Sequence, residues 1–538
     1  MASPRQYDRI RNFGGGVDMY RPASEIGDNQ SSLMQNVVVK DNFACRTRAG
    51  FDLAAGVGGT SFSTIVTSPS AVQGMFYYNK ASYSKLLVAE NGKLYSWDNT
   101  NWADLSQTFT NSIVDVSMEQ GVDKLMITDG QSYPKFFDGT TFTPYTSADS
   151  TFLNGVSILC WSTGRMLASG NPAYPDTIFF SHMLDFAPKS AGTSNWDLST
   201  QSTRIGNGDG QAIVALAAMQ NANVAVLKEN SVWLLNMTSA NTSASNPIAN
   251  WSAQEQGDLV GSGVGCVGKN AWCVYQNDLL FMSQDGVQSL QRMQAAAGQY
   301  QLTSPLSLPI QPLIDRINWS QSQSIKAVKY RNLAIFFVPL DSSTFNNYAL
   351  VWNGRIAQWT GYWTNVNAES ACVTRFNNTV ELYVGDGSVN ATKGYVNKWK
   401  DAVVLEDINT TYQDNGVDIP CELDTRSFIF GNFDANKKMR AALFRFNKGD
   451  ATVLFNAVFD LADVDDWNNS ITGTGDILGT DILPFQLESF SPVQVYRGLE
   501  GLGYCNEVYF KISCTAGWFE IRNIMASAFM KSIRDPAA

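Results

Sequence analysis

Charge is scarce in this chain. Only 16% of its 538 residues are Asp, Glu, Lys or Arg, against about 25% in an ordinary soluble domain. Long exposed helices need Glu, Lys, Arg and Ala, so a helical architecture is disfavoured. Histidine occurs once, at His182. That excludes His-rich metal centres and makes any Ser-His-Asp arrangement depend on one ring. His182 stands in IFFSHMLDF, beside an apolar run, and reads as a structural residue. The eight cysteines contain no CxxC spacing, so neither a zinc site nor a disulfide framework is indicated, and isolated buried thiols in a reducing compartment are expected. A basic stripe is also missing. The densest basic spots, Arg5–Arg11, Arg46–Arg48 and Lys437–Arg440, are short, and the net charge is −11. A protein that grips DNA through its phosphates needs the opposite. Apolar runs such as Leu333–Val338 fall far short of the roughly 20 residues of a membrane-spanning helix. The opening MASPRQYDRIRNFGGG lacks the apolar core of a signal peptide.

What the chain does contain is strand material. Hydrophobic residues make up 44% and aromatics 12%, a composition suited to pleated, half-buried surfaces. The middle repeats a unit: an apolar strand, a turn with Asn or an acid, a second strand with aromatics, and a turn ending in an aromatic. KLLVAENGKLYSWDNTNW (Lys85–Trp102) aligns with KLMITDGQSYPKFFDGTTF (Lys124–Phe142), so that Trp97 and Trp102 answer to Phe137 and Phe142. Weaker echoes are Val224–Leu235, Asp278–Leu290, Asn332–Trp359 and Val380–Trp399. A period of about 40 to 55 residues with several short strands per repeat predicts propeller blades, with an ordinary sandwich of chance-spaced hairpins as the alternative. A wider gap, Tyr145–Ala222, reads as a blade carrying an insertion or long loop. After about residue 405 the punctuation changes, and Val508, Phe510 and Ile512 alternate with Tyr509, Lys511 and Ser513, as in a separate sandwich-like domain. Helix signals are limited to Pro309–Ser320 and one turn or two near Ser31–Gln35.

Several motifs invite chemistry and fail on detail. The glycines of RIGNGDGQAIVALAAMQNANVAVLKENSVWLL (Arg204–Leu235) are spaced G-x-G-x-G. Gln211 stands where a P-loop needs Lys, and the following residues read as strand, strand, turn, strand rather than as a helix facing phosphates. Carboxylates are abundant enough for a paired-carboxylate glycosidase, but the Asp-box turns of sialidase-type propellers are only approached by SWDNTNW (Ser96–Trp102) and SQDGVQSL (Ser283–Leu290). DVDDWNNS (Asp463–Ser470) lacks the glycine and terminal Glu of a calcium loop. No catalytic residue, metal ligand or cofactor site is assigned.

Three stretches, in order along the chain, resemble the tail nozzle proteins of short-tailed bacteriophages, also called tail tubular protein B or tail hub and akin to phage DNA-stabilisation proteins. The first is Gly14–Phe51, matching at Gly15, Pro22, Ile26, Asp28, Leu33, Asn36, Val37, Arg48, Gly50 and Phe51, with Ala49 where the family often has Pro. The second is Asp176–Leu235 and the third Asn506–Arg534. The resemblance implies an all-β chain: an N-terminal arm with first strands (1–60), an irregular propeller of about six blades (61–405) with an inserted loop region near 150–210, and a C-terminal β-rich, sandwich-like domain (406–538). It implies a non-enzymatic virion protein at the distal end of a short tail, assembled in the host cytoplasm as a hexameric ring below the adaptor, or head-to-tail connector, protein. Such a ring extends the DNA-ejection channel, retains the packaged genome, docks fibres or spikes and meets the host envelope at infection. Double-stranded DNA would pass without specific binding through an acidic, Asn/Ser/Thr-rich bore, since phosphate attraction would slow it; a basic bore would refute this. Interface residues are expected in the arm (Arg21, Pro22, Asp28, Arg48, Phe51) and in the long loop (Asn171, Pro172, Tyr174, Pro175, Trp196). The alternatives are a tail-associated glycan hydrolase on a propeller and a monomeric propeller that binds a protein or glycan.

Overall fold

Strand alternation in the sequence becomes strand pairing throughout the computed structural model, which describes residues 5–54, 62–66, 70–81, 83–110, 114–189, 194–196, 201–237, 257–297, 304–387, 395–400, 412–431, 435–448, 452–460, 467–471, 493–499 and 504–530. The chain is all-β, and much of it forms small antiparallel meanders. The first sheet is Val72–Lys80, Tyr83–Glu90, Lys93–Trp97 and Trp102–Thr108, and the second is Ser117–Gly121, Lys124–Thr128, Lys135–Phe137 and Phe142–Pro144. The third runs from Ile158–Ser162 through Arg165–Ser169 and Thr177–Phe180 to Ser202–Arg204, and so fills the wide gap seen in the sequence. The fourth is Ile213–Ala218, Asn223–Lys228, Ser231–Asn236 and Asp258–Ser262. The fifth has three strands, Trp272–Tyr275, Asp278–Ser283 and Gly286–Ser289, followed by the helix Leu290–Ala297, which carried no clear signal in the sequence. The sixth begins as Lys326–Tyr330, Leu333–Val338, Tyr348–Asn353 and Gln358–Thr364. The seventh is Ala368–Phe376, Thr379–Asp386 and Val396–Trp399, completed by Phe51–Leu53 from the N-terminal segment.

The repeat has a physical basis in its turns. Trp97 pairs with Trp102 and Phe137 with Phe142 in register, their rings 5.0 and 4.2 Å apart. Between them, Asp98 accepts from the backbone N–H of Thr100 and Asn101, and Asp138 does the same for Thr140 and Thr141. An acid that caps its own turn, flanked by stacked aromatics, closes both hairpins the same way. The second strand of each unit, such as Leu86–Ala89 or Ala334–Val338, is buried on both faces, which accounts for its continuous apolar character.

The remaining strands form two larger sheets. One orders Val37–Val39, Cys45–Thr47, Phe519–Met530, Lys437–Lys448 and Val493–Gly498, with Arg5–Ile10 also on Phe519–Met530. The other extends the sixth meander: Gln358–Thr364 pairs in parallel with Ser31–Gln35, and then come Cys421–Thr425, Val508–Cys514, Val453–Phe459 and Trp467–Ile471. Phe444 of the first sheet meets Phe455 and Phe510 of the second at 4.5 and 5.2 Å, so the two sheets pack face to face. The expected alternation of Val508–Cys514 is realised, with every second residue buried.

Residues 5–53, the segment read as an arm with first strands, contribute to three sheets. The turn expected at Ser31–Gln35 is a correction: that segment is a strand, because pairing on both sides outweighs the weak helical pattern. Pro309–Ser320 yields only a short helix, Gln311–Ile314, between 3-10 turns at Leu308–Ile310 and Trp319–Ser324. Most of Leu461–Asp481, and the acidic half of Asp463–Ser470, lie outside the described residues.

Candidate functional site

The first strands of the seven meanders share one cavity of about 250 Å3. They neighbour one another from the first sheet to the fourth and from the fifth to the seventh, and the seventh lies against the first. Into this polar space the chain places two lysines and two carboxyls, with a third carboxyl, Asp115, bonded to the lysines beside it. Lys326 starts the sixth sheet and is 4% exposed; its Nζ lies 2.5 Å from Asp115 Oδ2, just ahead of the second sheet. Lys269, ahead of the fifth sheet, donates to the Asp115 carbonyl at 3.1 Å and to Ser117 Oγ at 3.2 Å, and lies 3.9 Å from the same carboxylate. Glu119 of the second sheet accepts the Trp161 backbone N–H at 3.1 Å. Glu369, in the seventh sheet, also lines the cavity.

Their protonation follows from burial and neighbours. Burial works to raise the Asp115 carboxyl, but Lys326 and Lys269 overcome it and hold it below its ordinary value. Burial works to lower the Lys326 ammonium, and Asp115 and Glu369 more than offset that. Burial prevails elsewhere. It pushes Glu119 up to about 7, Glu369 up to about 7 against the pull of Lys326, and Lys269 down to about 8. The result is one fixed ion pair, Asp115–Lys326, beside two carboxyls and an amine that exchange protons near neutral pH. Strand patterning alone missed all five residues. Their only signal in the sequence is a charge at, or just ahead of, the opening strand of a repeat.

A second cavity, also of about 250 Å3, shares Ser157, Ile158 and Lys269 with the first and is lined by Asn171, Pro172, Pro175 and Gln323. Three residues expected at an outer interface therefore stand at the approach to the charged cluster. Asn171 is buried and donates to the carbonyls of Phe152 and Asn154, while Pro172 and Pro175 are exposed. Tyr174 sits edge-on to Phe179, and Trp196 is buried.

The N-terminal residues divide in the same way. Arg21 and Pro22 are exposed, with Arg21 paired to Asp18 at 2.6 Å. Asp28 is exposed and lies 3.3 Å from Arg426. Arg48 and Phe51 are an internal clasp rather than a surface contact. The Arg48 guanidinium is fully buried. It meets both oxygens of Asp414 at 2.9 and 2.5 Å, bonds Asn36 and the Thr364 carbonyl, and lies over Phe51 and Trp363. A planar, always-charged fork suits such a site. Gly50 permits the approach, because a Cβ there would sit 1.9 Å from the Gln413 carbonyl oxygen.

The glycine-rich loop holds no free anion cradle. Lys228 is fully buried and donates to both Asp209 oxygens, at 2.9 and 2.8 Å, and to the Ile205 carbonyl. Gly206, at φ +60, makes room for that carboxylate. Strands follow the loop, as the spacing predicts. At His182, burial lowers the imidazole pKa, and the neighbouring Ser181 hydroxyl donates to the His182 carbonyl, so these two residues do not form a nucleophile and base. Among the described residues no group of three or more potential ligands is placed to hold a metal, and no helix is long and apolar enough to cross a membrane.

No family model matches the chain, and no curated protein matches it. Similar solved structures include the computationally designed Ika8 protein (13% identity, TM-score 0.34, covering 62% of this chain and 98% of that one). Another is the extracellular domain of a candidate one component system from B. thetaiotaomicron (10%, TM-score 0.38, 89% and 62%). A third is PorZ, a bacterial surface component of the type-IX secretion system of Porphyromonas gingivalis (12%, TM-score 0.35, 69% and 44%). This chain thus spans less than two thirds of the length of the latter two.

Proposed function

We propose that the chain is a virion structural protein, the distal nozzle or hub of a short phage tail, built as a seven-bladed propeller joined to a two-sheet sandwich. In this reading the seven meanders are the blades, their first strands surround the axis, and Phe51–Leu53 closes the last blade. This reading counts seven blades where the resemblance implies about six, because it takes the three-stranded fifth sheet, whose first strand also lines the cavity, as a blade.

The observation that carries the proposal is what the residues of the resemblance do. Asn36, Arg48, Gly50 and Phe51 form the clasp that ties the propeller to the sandwich. Residues engaged in that internal contact serve the architecture rather than a catalytic pocket. Hexameric assembly, docking to an adaptor and to fibres, genome retention and passage of double-stranded DNA follow as parts of the same proposal. The DNA path is then the bore of the ring, because the cavity within one chain is far too small for a duplex.

Immunogold labelling of purified virions tests the reading. Gold at the far tip of a short tail, with a ring in averaged images, is the expected result. Gold on peripheral fibres, or none on the particle, overturns it. A glycan hydrolase is the rival that Glu119 and Glu369 keep open, since a carboxyl held near neutrality can serve as a general acid. Sugar release from host envelopes, abolished by Glu369→Gln, would favour that rival.

A further inference from the structure

Two of the eight cysteines, far apart in sequence, are brought face to face. Cys421 opens one strand, Cys514 ends the next, and they are directly opposed in the antiparallel register. Directly opposed residues have Cα atoms about 4.5–5.5 Å apart, inside the roughly 4.4–6.8 Å range of disulfides. Both side chains enter the same core, where the Cys421 thiol donates to the Ile419 carbonyl at 3.3 Å and the Cys514 thiol to the Ala516 carbonyl at 2.9 Å. Among the described residues the other six cysteines have no cysteine partner in strand register.

We propose that Cys421 and Cys514 are a reversible thiol–disulfide pair, oxidised by small peroxides, that locks the junction between the sixth sheet and the two-sheet body. Cys421–Thr425 also pairs with Ser31–Gln35, the strand that joins the sixth sheet to this region, so the crosslink acts on that junction. Cys514 attacks first, because the neighbouring Cys421 lowers its pKa and the thiolate is the nucleophile. Its sulfur takes one oxygen of hydrogen peroxide, the O–O bond breaks, and the departing hydroxide takes up the proton that the Cys514 thiol lost and leaves as water. Cys421 then attacks the sulfenic sulfur; the S–S bond forms, the S–O bond breaks, and its thiol proton leaves with the second water. Two thiols are oxidised and one peroxide is reduced to two waters. Access is through strand ends: exposed Pro420 precedes Cys421 and exposed Thr515 follows Cys514, where local opening costs least.

The test treats the folded full chain with hydrogen peroxide, alkylates the remaining thiols in denaturant and maps the peptides without reduction. Expected is a peptide containing Cys421 joined to one containing Cys514, lighter by two hydrogens. The unfolding midpoint should rise by roughly 5 °C, given a closed loop of about 93 residues, and dithiothreitol should reverse the rise. Cys421→Ser and, separately, Cys514→Ala should unfold like the reduced protein and show no peroxide-dependent rise. The proposal is overturned if the folded protein yields no joined peptide, if Cys372, the half-buried cysteine, is consumed first, or if either variant shows the same rise.

Discussion

Glu119 and Glu369 remain protonated in conditions where a surface carboxyl has long since ionised, and this makes stability depend on pH in a defined direction. Each has a folded pKa raised from 4.5 to about 7. The folded state therefore binds more protons than the unfolded one between those values, and stability falls as pH rises through that window. Glu90, fully buried and pushed up to about 8, adds in the same sense. Lys269, lowered from 10.5 to about 8, acts oppositely above pH 8, but burial also raises the thiols of Cys45, Cys160, Cys266, Cys273 and Cys372, and these outweigh one lysine, so stability goes on falling. Urea unfolding across pH 5 to 10 should show stability falling as pH rises, and a maximum at the alkaline end would overturn this account. Glu369→Gln should stabilise the protein at pH 8 by on the order of 1–2 kcal/mol, with little gain at pH 5. The clasp gives a second residue-scale expectation. Arg48→Ala leaves the Asp414 carboxylate without its partner and should cost about 3–5 kcal/mol. Arg48→Lys should recover only part of that loss, because an ammonium cannot reproduce the two-point contact. Equilibrium denaturation of both variants measures it.

At the scale of elements, the seventh sheet is completed by a strand remote in sequence. Phe51 and Leu53 pair with Trp399 and Asn397, and Gly50 brings the backbone against Gln413. Gly50→Ala forces that contact apart and should destabilise by about 1–3 kcal/mol. Hydrogen exchange should show the loss of protection concentrated in Val396–Trp399 and Phe51–Leu53, with the second sheet unchanged. Exchange elsewhere rising equally would mean that the strand is not a local closure.

For the whole molecule, the N-terminal segment makes the parts inseparable. Residues 5–53 place strands in both larger sheets and in the seventh meander, so deleting residues 1–53 removes pairing from each at once and uncovers apolar edges. Soluble yield should collapse and the cooperative unfolding transition should be lost. A deletion that unfolds like the full chain would show that the two halves fold on their own.

The strands, their repeat and their turns were legible in the sequence because they are set locally. Alternation, turn acids such as Asp98 and Asp138, and aromatic pairs such as Trp97 and Trp102 act over a few residues, so period and punctuation identified six of the meanders in whole or part. The glycine loop was read correctly for the same reason, since spacing and the strands after it are local properties. Long-range pairing was not legible. Ser31–Gln35 became a strand only because Cys421–Thr425 and Gln358–Thr364 flank it, Arg48 became internal only because Asp414 reaches it, and Cys421 meets Cys514 only through strand register. The charged cluster is the extreme case. Asp115, Glu119, Lys269, Lys326 and Glu369 come from four sheets, and what holds their protons is burial and mutual charge, which exist only once the first strands have come together. Composition and periodicity thus determined the class of structure and its building unit, while the tertiary structure alone decided which distant residues touch and so where chemistry can occur.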